Sequence, residues 1–454
     1  MNKIQLIIIS IIASIMILSS CSNEYITDVN PNEPQIDTKN LQENSCSYKV
    51  TMSDIDKLIA GKNGCLTRAN VQYEVLPIKN GEDTVLFLVN HAHGWELYSA
   101  DKRFTPLLAF DEKKPLSLDS LSNMQELFLA GMKEIITDIN ALEGNCGDAS
   151  RMRPEWKSIS QTSTFSEGER GEENEMEHWL LWSSEEEDKS YSCCHKLSTR
   201  WHQHDSYKIY TPMDIERPVL HSAVGCVPVA AGQMLYFLHN KWNYSPAMPD
   251  SLSYDADERR NYYYGSSTSI WDRMDENDND AVAFFLSYIG NILGTTYSWG
   301  DSPTNMIYML SEFPRHFGVS LSKSSWSEDV AVSSLTNGMP FILSIDSETQ
   351  EDGHAVVVDG YKCKRYLITD TYIYVEDMES FMQQDLEIGE PDAIPVGYQT
   401  MTNSYISEHW YFQMNIGWSE SDDTYYNLNS LRLKVPGSNV LFTKLKNMYY
   451  NFRK

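Results

Sequence analysis

Position 226 holds the residue whose surroundings best fit nucleophilic chemistry, a cysteine that opens an apolar run. Gly225 before it permits a sharp turn, and Pro228 fits only the first turn of a helix, where backbone N–H groups lack helical partners. The small and apolar residues 227–235 predict a buried helix that begins at the cysteine. A thiol at that helix end lies near positive partial charge, which favours the reactive thiolate. The alternative is a buried structural cysteine.

A cysteine nucleophile needs a base, and His354 is the candidate. It stands just before the valine run 356–358, which predicts a buried strand that could aim the ring. Asp359 followed by glycine then predicts a hairpin turn. Nucleophile and base far apart in sequence are expected when they come from different halves of a fold. A core histidine without a catalytic role is the alternative.

Two amide side chains complete a catalytic set. Gln203 could donate an N–H to an oxyanion hole, together with the backbone N–H of Cys226. Asn415 lies in a strand-like segment near the C-terminus, where its side chain could accept the imidazole N–H and fix its tautomer. In the order Gln, Cys, His, Asn, the four residues match the papain-type arrangement.

The motifs around these residues resemble a known family, the streptopain family of papain-fold cysteine peptidases. They are residues 197–203, 225–234, 269–274, 353–361 and 414–418, and they span most of residues 195–454. The resemblance implies an α+β papain-like fold with a helical lobe and a β lobe, and a peptidase that needs no metal or organic cofactor. It implies Cys226 as nucleophile, His354 as base, Gln203 as oxyanion donor and Asn415 as the partner that orients the imidazole.

The chain departs from the family pattern in two places. Ile416 stands where the family has tryptophan, and residues 363–410 lengthen the stretch between His354 and Asn415 as an insertion would. These departures keep open a second function, a catalytically weak or inactive papain-fold surface binding protein. A papain-fold transferase or amidase would use the same residues, and it stays open as well.

The N-terminus predicts export. Lys3 is followed by an apolar run over residues 4–18, which suits a signal peptide and is short of the roughly 20 residues of a membrane span. Residues 18–21 resemble a bacterial lipobox and make Cys21 the predicted lipidation site, while an ordinary cleaved signal is the alternative. We therefore expect an extracytoplasmic lipoprotein, anchored to a bacterial outer membrane or cell surface by acyl chains.

Composition shifts divide the chain into five segments. They are a signal peptide (1–20), a flexible tether (21–47), a small α+β domain (48–145), an acidic linker (146–194) and the peptidase domain (195–454). Within the small domain, residues 94–110 resemble the propeptide or inhibitor domain that precedes streptopain-type peptidases. That resemblance implies a zymogen, inhibited by its own prodomain until the prodomain is removed; a domain for stability or binding is the alternative.

Charge narrows the possible partners and marks the linker. Lys and Arg number 36 against 64 Asp and Glu, and the net charge of −28 argues against binding to nucleic acid. We expect protein or peptide substrates. Residues 167–188 hold most of the linker's acidic groups, so we expect this run to stay extended and to serve as a cleavable activation segment. The eight cysteines could form disulfides outside the cytoplasm, but their spacing fixes no pairing.

Overall fold

The structure, a computed structural model, describes residues 46–62, 73–156, 179–194, 197–254, 261–263, 269–275, 278–347, 353–376, 381, 398–417, 424–434 and 440–454. The predicted signal peptide, Cys21 and almost all of the predicted tether lie outside these residues. So does the part of the acidic linker between 157 and 178. Residues 46–454 group into one compact unit.

Strands and helices occur in separate runs along the described residues, and most α-helices lie between residues 226 and 336. The α-helices are α1 (Met52–Lys62), α2 (Asn123–Glu143), α3 (Cys226–Trp242), α4 (Ile270–Asp275), α5 (Asn279–Ile292), α6 (Met309–Phe317) and α7 (Glu328–Thr336). The strands are β1 (Cys46–Ser47), β2 (Tyr73–Asn80), β3 (Asp83–His91), β4 (Gly94–Ser99), β5 (Leu107–Asp111), β6 (Cys146–Gly147), β7 (Trp179–Asp188), β8 (Tyr191–Cys194), β9 (Ser251–Ser253), β10 (Asn261–Tyr263), β11 (Ser320–Ser325), β12 (Phe341–Ser347), β13 (Gly353–Tyr374), β14 (Thr400–Asn415), β15 (Tyr425–Tyr426), β16 (Leu433–Lys434) and β17 (Leu441–Arg453). Among these helices, all from the described part of the chain, none has the length and apolar composition that a membrane span requires.

A helical lobe and a β lobe make up the peptidase region, and the predicted α+β fold class is confirmed. The apolar periodicity of residues 227–239 and 281–293 predicts two helices, and they are α3 and α5. Gly232 lets these helices approach closely, because a Cβ there would lie 2.5 Å from a methyl group of Leu286. Buried apolar side chains from both helices form the core of the helical lobe. That core sets the position of the N-terminus of α3, and Cys226 with it.

One antiparallel sheet joins the β lobe to the N-terminal region, which we define as residues 46–156. Its strand order is β11-β17-β12-β13-β14-β15-β5-β4-β3-β2. The junction is the pairing of β15 with β5, where Tyr425 lies opposite Phe110 and Tyr426 opposite Ala109. The ring of Phe128, from α2, packs edge-on against Tyr426 with centroids 5.0 Å apart. The two regions therefore share a sheet and a hydrophobic core.

The N-terminal region is a small α+β unit, as its sequence pattern predicts. The β2–β3 hairpin turns at Gly81 and Glu82, and α2 begins in a capping box made by Ser122 and Gln125. The folded part continues past the predicted boundary at residue 145. Trp156 is 1% exposed, and its indole N–H donates to the carbonyl of Phe104 over 2.8 Å.

Strands β13 and β14 extend into a long hairpin whose outer part we call the arm (residues 179–188, 366–374 and 400–407). Its first strand comes from the predicted linker, since β7 pairs with residues 366–374 of β13. Leu180 and Trp182 are 5% and 2% exposed and pack with Ile373 and Val375 in a small core of their own. The described end of the predicted linker is therefore part of a sheet rather than a free extended segment.

The hairpin turn predicted at Asp359 and Gly360 is wrong. Strand β13 runs straight through both residues and pairs with β14, with a bulge between Val358 and Gly360. A glycine suits this bulge because a Cβ there would lie 2.8 Å from Oε1 of Gln413 and 3.2 Å from the carbonyl oxygen of Cys193. The Asp-Gly pair thus serves close strand packing instead of a turn.

Candidate active site

Helix α3 begins at Cys226, as the sequence predicts. Gly225 caps it with φ of 95°, a conformation that favours glycine. A Cβ at this position would also lie 2.5 Å from the carbonyl oxygen of Ser302. Both constraints require the residue before Cys226 to be glycine. The Cys226 thiol consequently lies at the N-terminus of a helix of 17 residues, near its positive partial charge.

The Cys226 sulfur contacts the strand that carries the candidate base. Cys226 packs in the same core as Ala355, the residue after His354. Burial raises the pKa of the thiol to about 11, and the backbone N–H of Ala355, together with those at the helix start, lowers it only in part. The side chain is a neutral thiol at neutral pH in this structure.

The His354 ring is held by a backbone carbonyl. Its Nε2 lies 3.2 Å from the carbonyl oxygen of Ile416, and the ring packs obliquely on Phe442. A carbonyl can only accept, so the proton is on Nε2 and Nδ1 keeps the basic lone pair. Burial lowers the pKa of His354 to about 4, while the Ile416 hydrogen bond acts in the opposite direction. Cys226 and His354 are therefore both neutral here, and not the thiolate–imidazolium pair that papain-type chemistry uses.

Asn415 does not make the contact predicted for it. Its Oδ1 accepts from the backbone N–H of Gly417 (3.0 Å) and from Nε2 of Gln233 (3.1 Å), and its Nδ2 donates to the carbonyl of Thr199 (3.0 Å). The acceptor for the His354 ring is the main chain of the next residue. The prediction names the right segment but the wrong group, because the Asn415 side chain turns into the core, where it is 3% exposed.

The backbone of Gln203 lies beside the segment that leads into Cys226. Its carbonyl accepts the N–H of Val224 over 2.9 Å. The side chain is 9% exposed, and its Oε1 has no hydrogen-bond partner among the described residues. The oxyanion role of its Nε2 remains a prediction.

The sequence pattern assigns no role to two residues that the structure links to this site, Gln233 through Asn415 and Ile416 through His354. Ile416 acts through its backbone, which no residue type could reveal. Gln233 does leave a signal, since it is an amide within an apolar helix, seven residues after Cys226 and thus on the same helix face. As for metals, the described residues contain no group of three His, Cys, Asp or Glu side chains that could hold one.

The sequence profile of the Peptidase C10 family, the streptopain family, matches residues 201–426, about half of the chain. The chain belongs to the Peptidase C10 family. The predicted resemblance is thereby confirmed, and the protein is a cysteine peptidase. The match begins just before Gln203 and includes Cys226, His354 and Asn415.

Among solved structures, the chain is similar to a fragment of Prevotella intermedia prointerpain A, determined as a cysteine-to-alanine mutant. The identity is 16%, the TM-score is 0.44, and the match covers 83% of this chain and 98% of that one. No curated protein matches the chain.

Proposed function

We propose that this C10 peptidase is an endopeptidase made as an exported, lipid-anchored zymogen. Its N-terminal region inhibits it until the chain is cut, and protein or peptide chains are its substrates. The observation that carries the catalytic part is the meeting of two distant segments, the N-terminus of α3 and the start of β13, where Cys226 packs in the same core as Ala355 and Val357.

The chemistry follows from the groups at this meeting point. His354 takes the Cys226 proton on Nδ1, and the thiolate attacks the scissile carbonyl carbon. The backbone N–H of Cys226 and the side chain of Gln203 stabilise the oxyanion, and one such donor typically contributes a factor of about 10²–10³ in rate. His354 then protonates the leaving amine, and water releases the acyl group from sulfur.

Latency is supported by the protonation states in the uncut chain. With the pKa of Cys226 at about 11 and that of His354 at about 4, proton transfer from sulfur to nitrogen is unfavourable. A thiolate–imidazolium pair, as in papain-type enzymes, has the opposite order of pKa values. We therefore propose that activation lowers the pKa of Cys226 and raises that of His354 by changing their surroundings.

A path of contacts runs from the N-terminal region to the base. Helix α2 packs on β16 so closely that a Cβ at Gly131 would overlap the carbonyl of Arg432. Strand β16 pairs with β17, where Leu433 lies opposite Phe442, and the Phe442 ring contacts His354. Removal of the N-terminal region would free this packing and allow the His354 ring to move.

Export and anchoring are supported by the sequence alone. The apolar run over 4–18 ends at a lipobox-like segment with Cys21, and acyl chains on that cysteine would hold the protein at a membrane. Mass spectrometry of the N-terminal peptide from membranes should find a diacylglyceryl-modified Cys21. An unmodified N-terminus elsewhere would refute the anchor.

The catalytic proposal is tested by casein cleavage with the processed protein. We expect Cys226→Ala to abolish cleavage and the control Cys363→Ala, at a buried cysteine on β13, to retain it. Uncut protein should be far slower than protein cut between residues 156 and 179, the part of the predicted linker that separates the N-terminal region from β7. Wild-type rates for Cys226→Ala would refute the nucleophile, and equal rates before and after cutting would refute the zymogen.

Processed protein without endopeptidase activity would favour one of the two alternative functions. Processed wild-type protein that cleaves no internal peptide bond but transfers or hydrolyses side-chain amides would favour the transferase or amidase. A protein that does neither would favour the surface binding protein.

A further inference from the structure

Gln233 is a buried amide in the nucleophile helix. It lies on α3 with no exposed surface, and its Nε2 donates to Oδ1 of Asn415 over 3.1 Å. Burying an amide in an apolar helix is unfavourable unless the amide bonds to a partner. The partner, Asn415, is the last residue of β14, and the next residue, Ile416, contacts His354. The bond therefore links the helix that carries Cys226 to the segment that contacts the candidate base.

The Asn415 side chain also holds the backbone of the two residues that follow it. Its Oδ1 also accepts the N–H of Gly417, which closes an Asx turn around Ile416, and its Nδ2 is held by the carbonyl of Thr199. Gly417 has φ of 71°, and a Cβ there would lie 2.8 Å from Val229 on α3. The direction of the Ile416 carbonyl is thus fixed by α3 from two sides.

That carbonyl is the group 3.2 Å from Nε2 of His354. We propose that Gln233 is a positioning residue for His354, acting through Asn415 and the Ile416 carbonyl. It sets the orientation and tautomer of the base relative to a thiol on the same helix. The inference rests on the proposed function, in which Cys226 and His354 are nucleophile and base.

The test compares Gln233→Met with Gln413→Met in processed enzyme. Both glutamines are buried, and Gln413 lies on β14 two residues before Asn415, where its Oε1 contacts the Cys194 sulfur. We expect Gln233→Met to lower kcat by about 10–100-fold with little change in KM, since misaligned catalytic groups cost rates of this order. Gln413→Met should keep kcat near the wild-type value.

The pH profile separates positioning from mere packing. The Ile416 hydrogen bond favours the protonated ring. In Gln233→Met the Ile416 carbonyl should no longer point at the ring, and the pKa of His354 should fall. The alkaline limb of kcat/KM, which reports loss of the imidazolium proton, should therefore move to lower pH. A second check is the double variant Gln233→Met, Asn415→Ala, which should be no slower than Asn415→Ala alone, because both changes break the same path.

Each outcome has one reading. A folded Gln233→Met with wild-type kcat, KM and pH profile overturns the inference, as does an equal loss in Gln413→Met. If Gln233→Met does not fold, Gln233→Glu replaces it: its protonated form can still donate to Asn415, so activity should fall as pH rises through the carboxyl pKa, and an unchanged profile overturns the inference. Processed wild-type enzyme without peptidase activity would instead refute the proposed function.

Discussion

At the scale of single residues, the site shows which roles a sequence can predict. Cys226 and His354 could be singled out as candidates because their chemistry needs those side chains next to recognisable local elements, a helix start and a valine-rich strand. The role of Asn415 could not, because it depends on whether a side chain at the end of a strand faces the base or the core. The acceptor for His354 is a main-chain carbonyl, for which every residue type is equivalent.

The raised pKa of Cys226 gives a prediction for the uncut protein. A thiol with pKa of about 11 is mostly protonated at neutral pH, so its thiolate fraction grows about tenfold per pH unit below that value. We expect the rate of alkylation of Cys226 by iodoacetamide to rise about tenfold for each pH unit between pH 7 and 10. Peptide mapping measures the rate, and Cys226→Ala is the control for background alkylation. A rate independent of pH from 6 to 9 would mean that the thiolate is already formed.

At the scale of elements, the arm is the main departure from expectation. The acidic composition of residues 167–188 predicts an extended linker, and charge repulsion is a sound reason for it. Strand β7 nevertheless forms, because Leu180 and Trp182 bury apolar surface against Ile373 and Val375 of the predicted insertion. The Ser184 hydroxyl also donates to Asp370 over 2.6 Å. A composition argument could not show this, since the partner strand lies almost 200 residues later in the chain.

The arm predicts where the processed enzyme begins. Because β7 and β8 both pair with β13, we expect residues 179–194 to stay with the peptidase after activation. Intact mass and N-terminal sequencing of processed protein under denaturing conditions should place its N-terminus before Trp179. An N-terminus after Cys194, in an active enzyme, would contradict this.

Single substitutions test the packing of β7. Trp182→Ala removes a side chain that is 2% exposed, and such losses cost about 3–5 kcal/mol of unfolding free energy. Leu181→Ala is the matched control, since this neighbour is 39% exposed and surface changes usually stay within about 0.5 kcal/mol. Urea unfolding measures the loss of unfolding free energy in each variant, and hydrogen exchange in residues 366–374 measures how far the strand paired with β7 loses protection. Similar effects of both variants would show that β7 does not pack as described.

At the scale of the whole molecule, the N-terminal region and the peptidase share one sheet. The helical and β lobes, the β2–β3 hairpin and helix α2 could be predicted from local patterns. The pairing of β15 with β5 could not, because strands of two or five residues carry too little pattern to choose a distant partner. The joint also includes a partly buried ion pair, in which Lys364 of β13 lies 3.6 Å from Glu96 of β4 and above the ring of Phe110.

This ion pair predicts how firmly the N-terminal region is held after cleavage. Lys364→Met removes this ion pair, while Glu96 still accepts the Tyr98 hydroxyl over 2.6 Å, so we expect a loss of about 1 kcal/mol. We expect the cut N-terminal fragment to leave the peptidase at lower salt or denaturant than in the wild type, measured by size-exclusion chromatography. Lys446→Met, at a more exposed ion pair with Asp346, is the control and should leave this threshold unchanged. An equal shift in both variants would rule out a specific role for Lys364.

The central claim is that Cys226 is the nucleophile of a peptidase that is latent until cut. Its most direct test is labelling with the cysteine-peptidase inhibitor E-64, followed by intact mass and peptide mapping, in uncut and processed protein side by side. We predict one adduct, on Cys226, in the processed protein, and little or none in the uncut protein. Processed protein that takes no label, or takes it on Cys193, Cys194 or Cys363, would contradict the account.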